Sequence, residues 1–221
     1  MFSLLTIIPR RSIILLNENR GIMKKIGITG GIGSGKTTVC EIFKLLGIPV
    51  FHADPEAKLL QNSDEGIKQH IINLLGADVC GEDGLPDRQK VAKLVFSDPK
   101  LLASLNGIIH PVVRERFLKW CEDFQAAPYI LYEAAILFES GFASDFDRTI
   151  LVLADENLRI ARVVRRNHTT EEDVRQRISN QMTDSEKIKK ADFIVVNNQD
   201  DLVIPQILKI DKLIREDGKN W

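Results

Sequence analysis

The sequence predicts an α/β fold in which helices flank a parallel β-sheet. A short apolar run at residues 25–29 precedes a glycine-rich loop, and apolar residues at helical spacing follow over 36–46. A second apolar run at 48–52 completes a strand–helix–strand unit, which favours parallel strands joined by a right-handed crossover. Later in the chain, further apolar runs again alternate with helical patterns, as an α/β fold requires.

The other elements divide the chain into a core and an insertion. Residues 54–125 are almost wholly helical in pattern, and we expect a helix break at Pro111. The elements predicted within this segment are helices at 63–76, 87–96 and 98–109, a loop at 81–86, and a helix that begins at Pro111. The elements predicted after it are strands at 129–133, 149–153 and 193–196, helices at 156–166 and 170–182, a capping box at 183–186, and a final helix. We therefore expect a five-stranded core formed by 23–54 and 126–221, with a helical subdomain inserted at 55–125.

The first 22 residues contain two short apolar patches that are split by a basic pair. We expect Met23 to be the natural start and residues 1–22 to lie outside the fold. A targeting segment is the alternative, although the order of charge and apolar residues is wrong for a signal peptide.

Composition excludes several classes of function. The chain has 221 residues and a formal net charge of −1, so bulk charge does not favour nucleic acid. Its three cysteines are far apart in sequence, which argues against a disulfide framework or a zinc site. We expect a cytoplasmic monomer or weak homo-oligomer with no nucleic-acid or membrane partner.

The loop between the first strand and helix carries the strongest chemical signal. Residues 27–38 read Gly-Ile-Thr-Gly-Gly-Ile-Gly-Ser-Gly-Lys-Thr-Thr and contain the P-loop pattern G-x-x-x-x-G-K-T. Glycines let backbone N–H groups turn toward an anion, and the helix that follows directs its positive end there. Lys36 would neutralise the β- and γ-phosphates of a nucleoside triphosphate, and the Thr37 hydroxyl would coordinate Mg²⁺. The residues expected to bind nucleotide are Gly31, Gly33, Ser34, Gly35, Lys36, Thr37 and Thr38. The alternative is a glycine-rich turn with a solvated lysine.

Three classes of protein could use this triphosphate: a small-molecule kinase, a GTPase switch, and an ATPase motor or binding module. The guanine-reading Asn-Lys-x-Asp segment of a GTPase is absent from the sequence. A kinase needs a base near the acceptor hydroxyl, and Asp54 follows the second strand at the edge where ligands bind. Since Asp54-Pro55 is equally typical of a helix N-cap, both roles stay open.

A kinase also needs cationic groups over the transferred phosphate, and the candidates that follow the fourth strand are Arg159, Arg162, Arg165, Arg166, Arg175 and Arg177. Arg162 and Arg166 are predicted to face the phosphates from a mobile lid, with a solvated basic helix face as the alternative. Glu133 ends the third predicted strand and is expected to hold Mg²⁺ through water. Its alternative is a strand-end residue that faces solvent.

These segments together resemble the dephospho-CoA kinase family from Lys24 to about residue 215. The resemblance rests on the 27–38 loop followed by further short motifs in the same order and spacing. Those motifs are Ala53-Asp54, His110-Pro111-x-x-Arg114, Ile136-Leu137-Phe138-Glu139, Arg162-x-x-x-Arg166, Arg177-x-x-x-Gln181, Ala191-Asp192 and Asn197.

The resemblance implies ATP- and Mg²⁺-dependent phosphorylation of the ribose 3′-hydroxyl of dephospho-CoA. It also implies a P-loop kinase core, a helical CoA-binding subdomain at 55–125 and a lid at about 157–188. Asp54 would be the catalytic carboxylate, and Lys36, Arg162 and Arg166 would act on the phosphates. His110 and Arg114 would face the acceptor, and Asn197 would lie near the adenine.

The chain departs from the family at three positions. His52 stands where the family usually has aspartate, Ala135 stands in place of proline, and Lys58 replaces a common arginine. A nucleoside monophosphate kinase is the alternative function, followed by a nucleotide-binding module without enzymatic activity.

Overall fold

The computed structural model describes residues 23–216, and the prediction made for 1–22 lies outside them. The five strands are β1 Lys24–Thr29, β2 Val50–His52, β3 Tyr129–Glu133, β4 Arg148–Leu153 and β5 Phe193–Val196. They form one parallel sheet in the order β2-β3-β1-β4-β5, which confirms the predicted fold class.

Helices cover the sheet and fill the segment between β2 and β3. They are α1 Lys36–Leu45, α2 Ala53–Ser63, α3 Glu65–Leu75, α4 Arg88–Ser97, α5 Pro99–Glu122, α6 Glu156–Asn167, α7 Glu171–Ser179, α8 Asp184–Ile188 and α9 Val203–Glu216. Short 3₁₀ turns occupy Ala77–Val79 and Phe142–Asp145. None of the helices within 23–216 is both long enough and apolar enough to cross a membrane.

The central strand β3 shows how the two faces of the sheet are buried. Its side chains alternate between two apolar clusters because successive residues of a strand point to opposite faces. Ile130 and Tyr132 pack with residues of α2 to α5, whereas Tyr129 and Leu131 pack with residues of α1 and α9. All five residues of the strand are buried, as expected for a parallel sheet covered on both faces.

The last helix is tied to the sheet by polar contacts as well. The Tyr129 hydroxyl donates to Asp211 Oδ1 at 2.6 Å, and Lys24 Nζ donates to the carbonyl oxygen of Ile214 at 2.9 Å. These contacts bind α9 to the first and third strands.

The helix break expected at Pro111 is wrong, because α5 runs without interruption from Pro99 to Glu122. A proline inside a helix costs about 3 kcal/mol. Here a buried stripe at four-residue spacing continues on both sides of it and offsets that cost. The stripe comprises Leu105, Ile109, Val113, Phe117 and Cys121.

Candidate active site

The loop at residues 30–37, here called the phosphate loop, leaves β1 at its carboxyl end and leads into α1. Strands β3 and β4 flank β1, so the loop lies where chain connections diverge to opposite sides of the sheet, the usual ligand site of such folds. Gly35 precedes α1 with φ of 93°, and no side chain caps the helix. The first-turn N–H groups therefore remain available to an anion, as the motif predicted.

The Lys36 side chain is buried against the loop from which it projects. Its Nζ donates to the carbonyl oxygens of Gly30 at 2.8 Å and Gly31 at 3.3 Å. Burial lowers the pKa of Lys36, and the charges of Glu133 and Asp54 oppose that change. Two carboxylates thus lie within electrostatic reach of the phosphate-loop lysine.

One of these carboxylates, Glu133, is buried at the end of β3 and does not face solvent. His52 is its partner in the β2–β3 register, and His52 Nδ1 lies 3.1 Å from Glu133 Oε2. The solvent-facing alternative for Glu133 is therefore wrong. The charge of Glu133 acts on Lys36, and the expected role of Glu133 toward Mg²⁺ stays a prediction.

The second carboxylate, Asp54, lies in the first turn of α2 and does not cap that helix. The N-cap residue is His52, and its side chain makes no capping hydrogen bond. The capping alternative for Asp54 is wrong because the helix starts at Ala53, two residues earlier than Asp54-Pro55 suggested. Burial raises the pKa of Asp54, the charge of Glu133 raises it further, and Lys36, Lys58 and the Ala135 backbone N–H lower it.

Two predicted residues fasten the far side of the phosphate loop. Asn197 Nδ2 donates to the carbonyl oxygen of Ser34 at 2.8 Å. Arg162 donates to the carbonyl oxygen of Asn197 at 3.0 Å and to that of Gly33 at 3.5 Å. These residues come from the end of β5 and from α6, so distant parts of the chain converge on one loop.

Two further residues contact the loop: Arg159, which the sequence offered only as a lid candidate, and Gln181, which it gave only as part of a family motif. Arg159 is 5% exposed and pairs with Asp184 at 3.2 Å. A Cβ atom added to Gly31 would lie 1.8 Å from Arg159 Nη1, so a larger residue there would displace that guanidinium. Gln181 accepts the Ile32 backbone N–H at 3.0 Å. Gln181 belongs to a family motif, which is the signal that could have identified it.

Arg166, Arg114 and His110 lie apart from this cluster. Arg166 is exposed and donates to Asn167. Arg114 pairs with Asp145, and its guanidinium lies 5.3 Å from the centre of the Phe142 ring. His110 is half-buried within α5, and burial lowers its pKa. Thr37 and Thr38 are exposed in the first turn of α1.

Comparisons with known proteins agree with this geometry. The family model for dephospho-CoA kinase matches residues 24–202. The chain is 39% identical over 186 residues to the dephospho-CoA kinase of Bacteroides fragilis strain YCH46, covering 84% of this chain and 90% of that protein. It is 40% identical over 202 residues to the one from Porphyromonas gingivalis, covering 90% of this chain and 98% of that protein.

Two solved structures share the fold. The structure of TT1252 from Thermus thermophilus has a TM-score of 0.76 at 32% identity and covers 89% of this chain and 98% of that one. A dephospho-CoA kinase from Campylobacter jejuni shares the fold, with a TM-score of 0.61 at 23% identity, covering 88% and 98% respectively. The family-model match and the two relatives from Bacteroides fragilis and Porphyromonas gingivalis show that the chain belongs to the dephospho-CoA kinase family.

Proposed function

We propose that this kinase transfers the γ-phosphoryl group of ATP to the ribose 3′-hydroxyl of dephospho-CoA, giving coenzyme A and ADP. The observation that carries the proposal is that a half-buried carboxylate, Asp54, lies within electrostatic reach of the phosphate-loop lysine, Lys36, so that each shifts the pKa of the other. One group suits the acceptor proton, and the other suits the phosphate charge.

The phosphate loop would bind the ATP phosphates through its backbone N–H groups and the start of α1. Lys36 Nζ would exchange the carbonyls of Gly30 and Gly31 for phosphate oxygens, since those are its acceptors in the structure. Arg162 is held next to Gly33 and would add a second cation to the phosphates. Its forked guanidinium suits phosphate oxygens better than a lysine would.

The residues at the loop fit a magnesium ion that is held mainly by ATP. Among residues 23–216 there is no cluster of three or more His, Cys, Asp or Glu side chains suited to a metal. The exposed Thr37 hydroxyl and the buried Glu133 carboxylate would hold Mg²⁺, directly or through water, together with phosphate oxygens. The ion would neutralise charge on the β- and γ-phosphates.

Asp54 would accept the proton of the acceptor hydroxyl. Its raised pKa brings it closer to the working pH than that of an ordinary aspartate, which favours a general base. Lys36 and Arg162 would then spread the charge that develops on the transferred group. Closure of the lid at about 157–188 would bring Arg166 to the same phosphate and exclude water.

The acceptor would occupy the helical segment at 55–125. His110 and Arg114 are proposed to contact it, and the Asp145 carboxylate that now pairs with Arg114 would give way to an acceptor oxygen. We further propose that the enzyme works in the cytoplasm as a monomer or weak homo-oligomer, without a nucleic-acid or membrane partner.

An acceptor screen tests the reaction. ADP release would be followed with dephospho-CoA, AMP, CMP and pantothenate, and we expect dephospho-CoA to be preferred on the order of 100-fold or more in kcat/KM. Preference for AMP or CMP would favour a nucleoside monophosphate kinase. ATP binding without release of ADP by any acceptor would favour a binding module.

The Asp54→Asn variant tests the base. We expect kcat to fall by about 10²–10⁴-fold while the Kd for ATP stays unchanged.

Because the folded-state pKa is raised, Asp54 stabilises the fold most when protonated, and this contribution is lost as pH rises through that pKa. Asparagine at this position should therefore not lower Tm at neutral pH. Asp64→Asn is the control, since Asp64 caps α3 and asparagine caps equally well. A normal kcat in Asp54→Asn would exclude the base role.

A further inference from the structure

A lysine outside the predicted site is completely buried beside the phosphate loop. Lys187 lies in α8 and is 0% exposed. Its Nζ lies 3.0 Å from Glu139 Oε1. An ammonium group is expensive to remove from water, and it remains in a protein interior when a partner carboxylate compensates for the lost hydration.

The partner carboxylate has a second contact that leads toward the nucleotide. Glu139 Oε1 also accepts the backbone N–H of Met182 at 3.0 Å. The preceding residue, Gln181, accepts the Ile32 N–H of the phosphate loop at 3.0 Å. A continuous path of contacts therefore runs from Lys187 through Glu139 and the 181–182 turn to Ile32.

A second path joins the same helix to the same part of the loop. Asp184, the first residue of α8, pairs with the buried Arg159, whose guanidinium lies against Gly31. Gly31 thus lies against Arg159, which pairs with Asp184, and Ile32 next to it is bound by Gln181. The charge of Lys187 also reaches Lys36, where it is one of the influences that lower the pKa of Lys36.

We propose that Lys187 is a positioning residue for phosphoryl transfer, a role that rests on the proposed kinase function. Through Glu139 it holds the 181–182 turn, and the turn holds the first half of the phosphate loop in its nucleotide-binding shape. Lys187 itself does not contact the substrate. Loss of the Lys187 ammonium group loosens the phosphate loop and weakens the binding of every nucleotide that binds there.

The test measures nucleotide binding without turnover, so it remains valid if the acceptor is not dephospho-CoA. For Lys187→Met we expect the Kd values of ATP and ADP to rise together by about tenfold, because both bind the loop that the Lys187–Glu139 ion pair supports. The Kd of dephospho-CoA should stay within about twofold, because the acceptor segment is separate from this turn. Lys190→Met is the matched control, since Lys190 is exposed two residues beyond α8.

A thermodynamic cycle with Gln181→Leu tests the path itself. If Lys187 acts through Gln181, the variant that combines Lys187→Met with Gln181→Leu has a Kd for ATP no higher than the higher of the two single-variant Kd values. Additive losses would overturn the proposal. A rise in Kd for ATP without a rise for ADP would also overturn it, because that pattern indicates direct attraction of the γ-phosphate.

A second variant covers the case in which Lys187→Met alone does not fold. Lys187→Met combined with Glu139→Gln leaves no buried charge unpaired, and such replacements often preserve stability. The neutral amide that Glu139→Gln introduces holds the Met182 N–H less strongly than a carboxylate does. We therefore expect a Tm close to that of the parent and a Kd for ATP still raised several-fold. Parental ATP affinity in this variant would show that the pair is only structural.

Discussion

Two glycines with the same φ angle offer a direct measurement of how tightly the phosphate loop packs. Gly33 in the loop and Gly47 after α1 both have φ of 79°. A Cβ atom at Gly33 would meet the Arg159 carbonyl oxygen at 2.5 Å and Val163 Cγ2 at 2.9 Å, whereas one at Gly47 would meet nothing within 4 Å. Alanine at the two positions therefore differs in packing and not in φ.

The expected magnitudes follow from these surroundings. Alanine in the left-handed region costs about 1–2 kcal/mol, and this term applies to both variants. Overpacking adds typically about 1–3 kcal/mol, and it applies only to Gly33→Ala because backbone of α6 cannot yield as a flexible side chain can. The difference between the variants should thus be about 1–3 kcal/mol, which corresponds to about 2–4 °C in Tm for each kcal/mol.

Urea unfolding of both variants, with ATP titrations on each, provides the assay. We expect Gly33→Ala to be the less stable variant and to bind ATP more weakly, because the loop must move away from α6. Gly47→Ala should bind ATP normally. Equal loss of stability in the two variants would refute the tight contact between the loop and α6.

Two further predictions concern the charged groups of the site. Arg162 donates to the Gly33 carbonyl, so Arg162→Gln should raise the KM for ATP on the order of tenfold. Arg166 is exposed at the end of α6, and Arg166→Gln should lower kcat at unchanged KM. Similar KM values in these variants would contradict the division of roles. In Glu133→Gln, loss of the neighbouring charge should lower the pKa of Asp54. Since the base works only when ionised, the acid limb of kcat against pH, measured at saturating Mg²⁺, should move to lower pH. If the acid limb does not move, Glu133 does not influence the pKa of the base.

Local pattern was sufficient for the core of this fold. The strand, glycine loop and helix at 25–46 depend on neighbouring residues, so the sequence predicts them well, and β1 and α1 confirm it. The uninterrupted α5 could not be predicted in this way. The local penalty of Pro111 is visible in the sequence, but the burial that outweighs it depends on helices α2 to α4 packing around the stripe.

The same distinction applies to the candidate site, where local pattern predicts some residues and distant contacts determine others. Lys36 and Asp54 follow strands closely, and the topology of a parallel sheet brings such residues to one edge. Arg159 and Lys187 are charged residues in helices, and the expected place for such residues is the surface. Their burial depends on partners, Asp184 and Glu139, which the sequence does not reveal as partners.

The contacts that fasten the phosphate loop also determine when a growing chain can use it. Ile32, Gly33 and Ser34 are held by Gln181, Arg162 and Asn197, which lie 149, 129 and 163 residues away along the chain. A ribosome that has made only the first strand and helix has therefore produced the motif without its supports. Affinity for ATP should arise late in translation, after β5 has joined the sheet, and fragments that end before it should lack it.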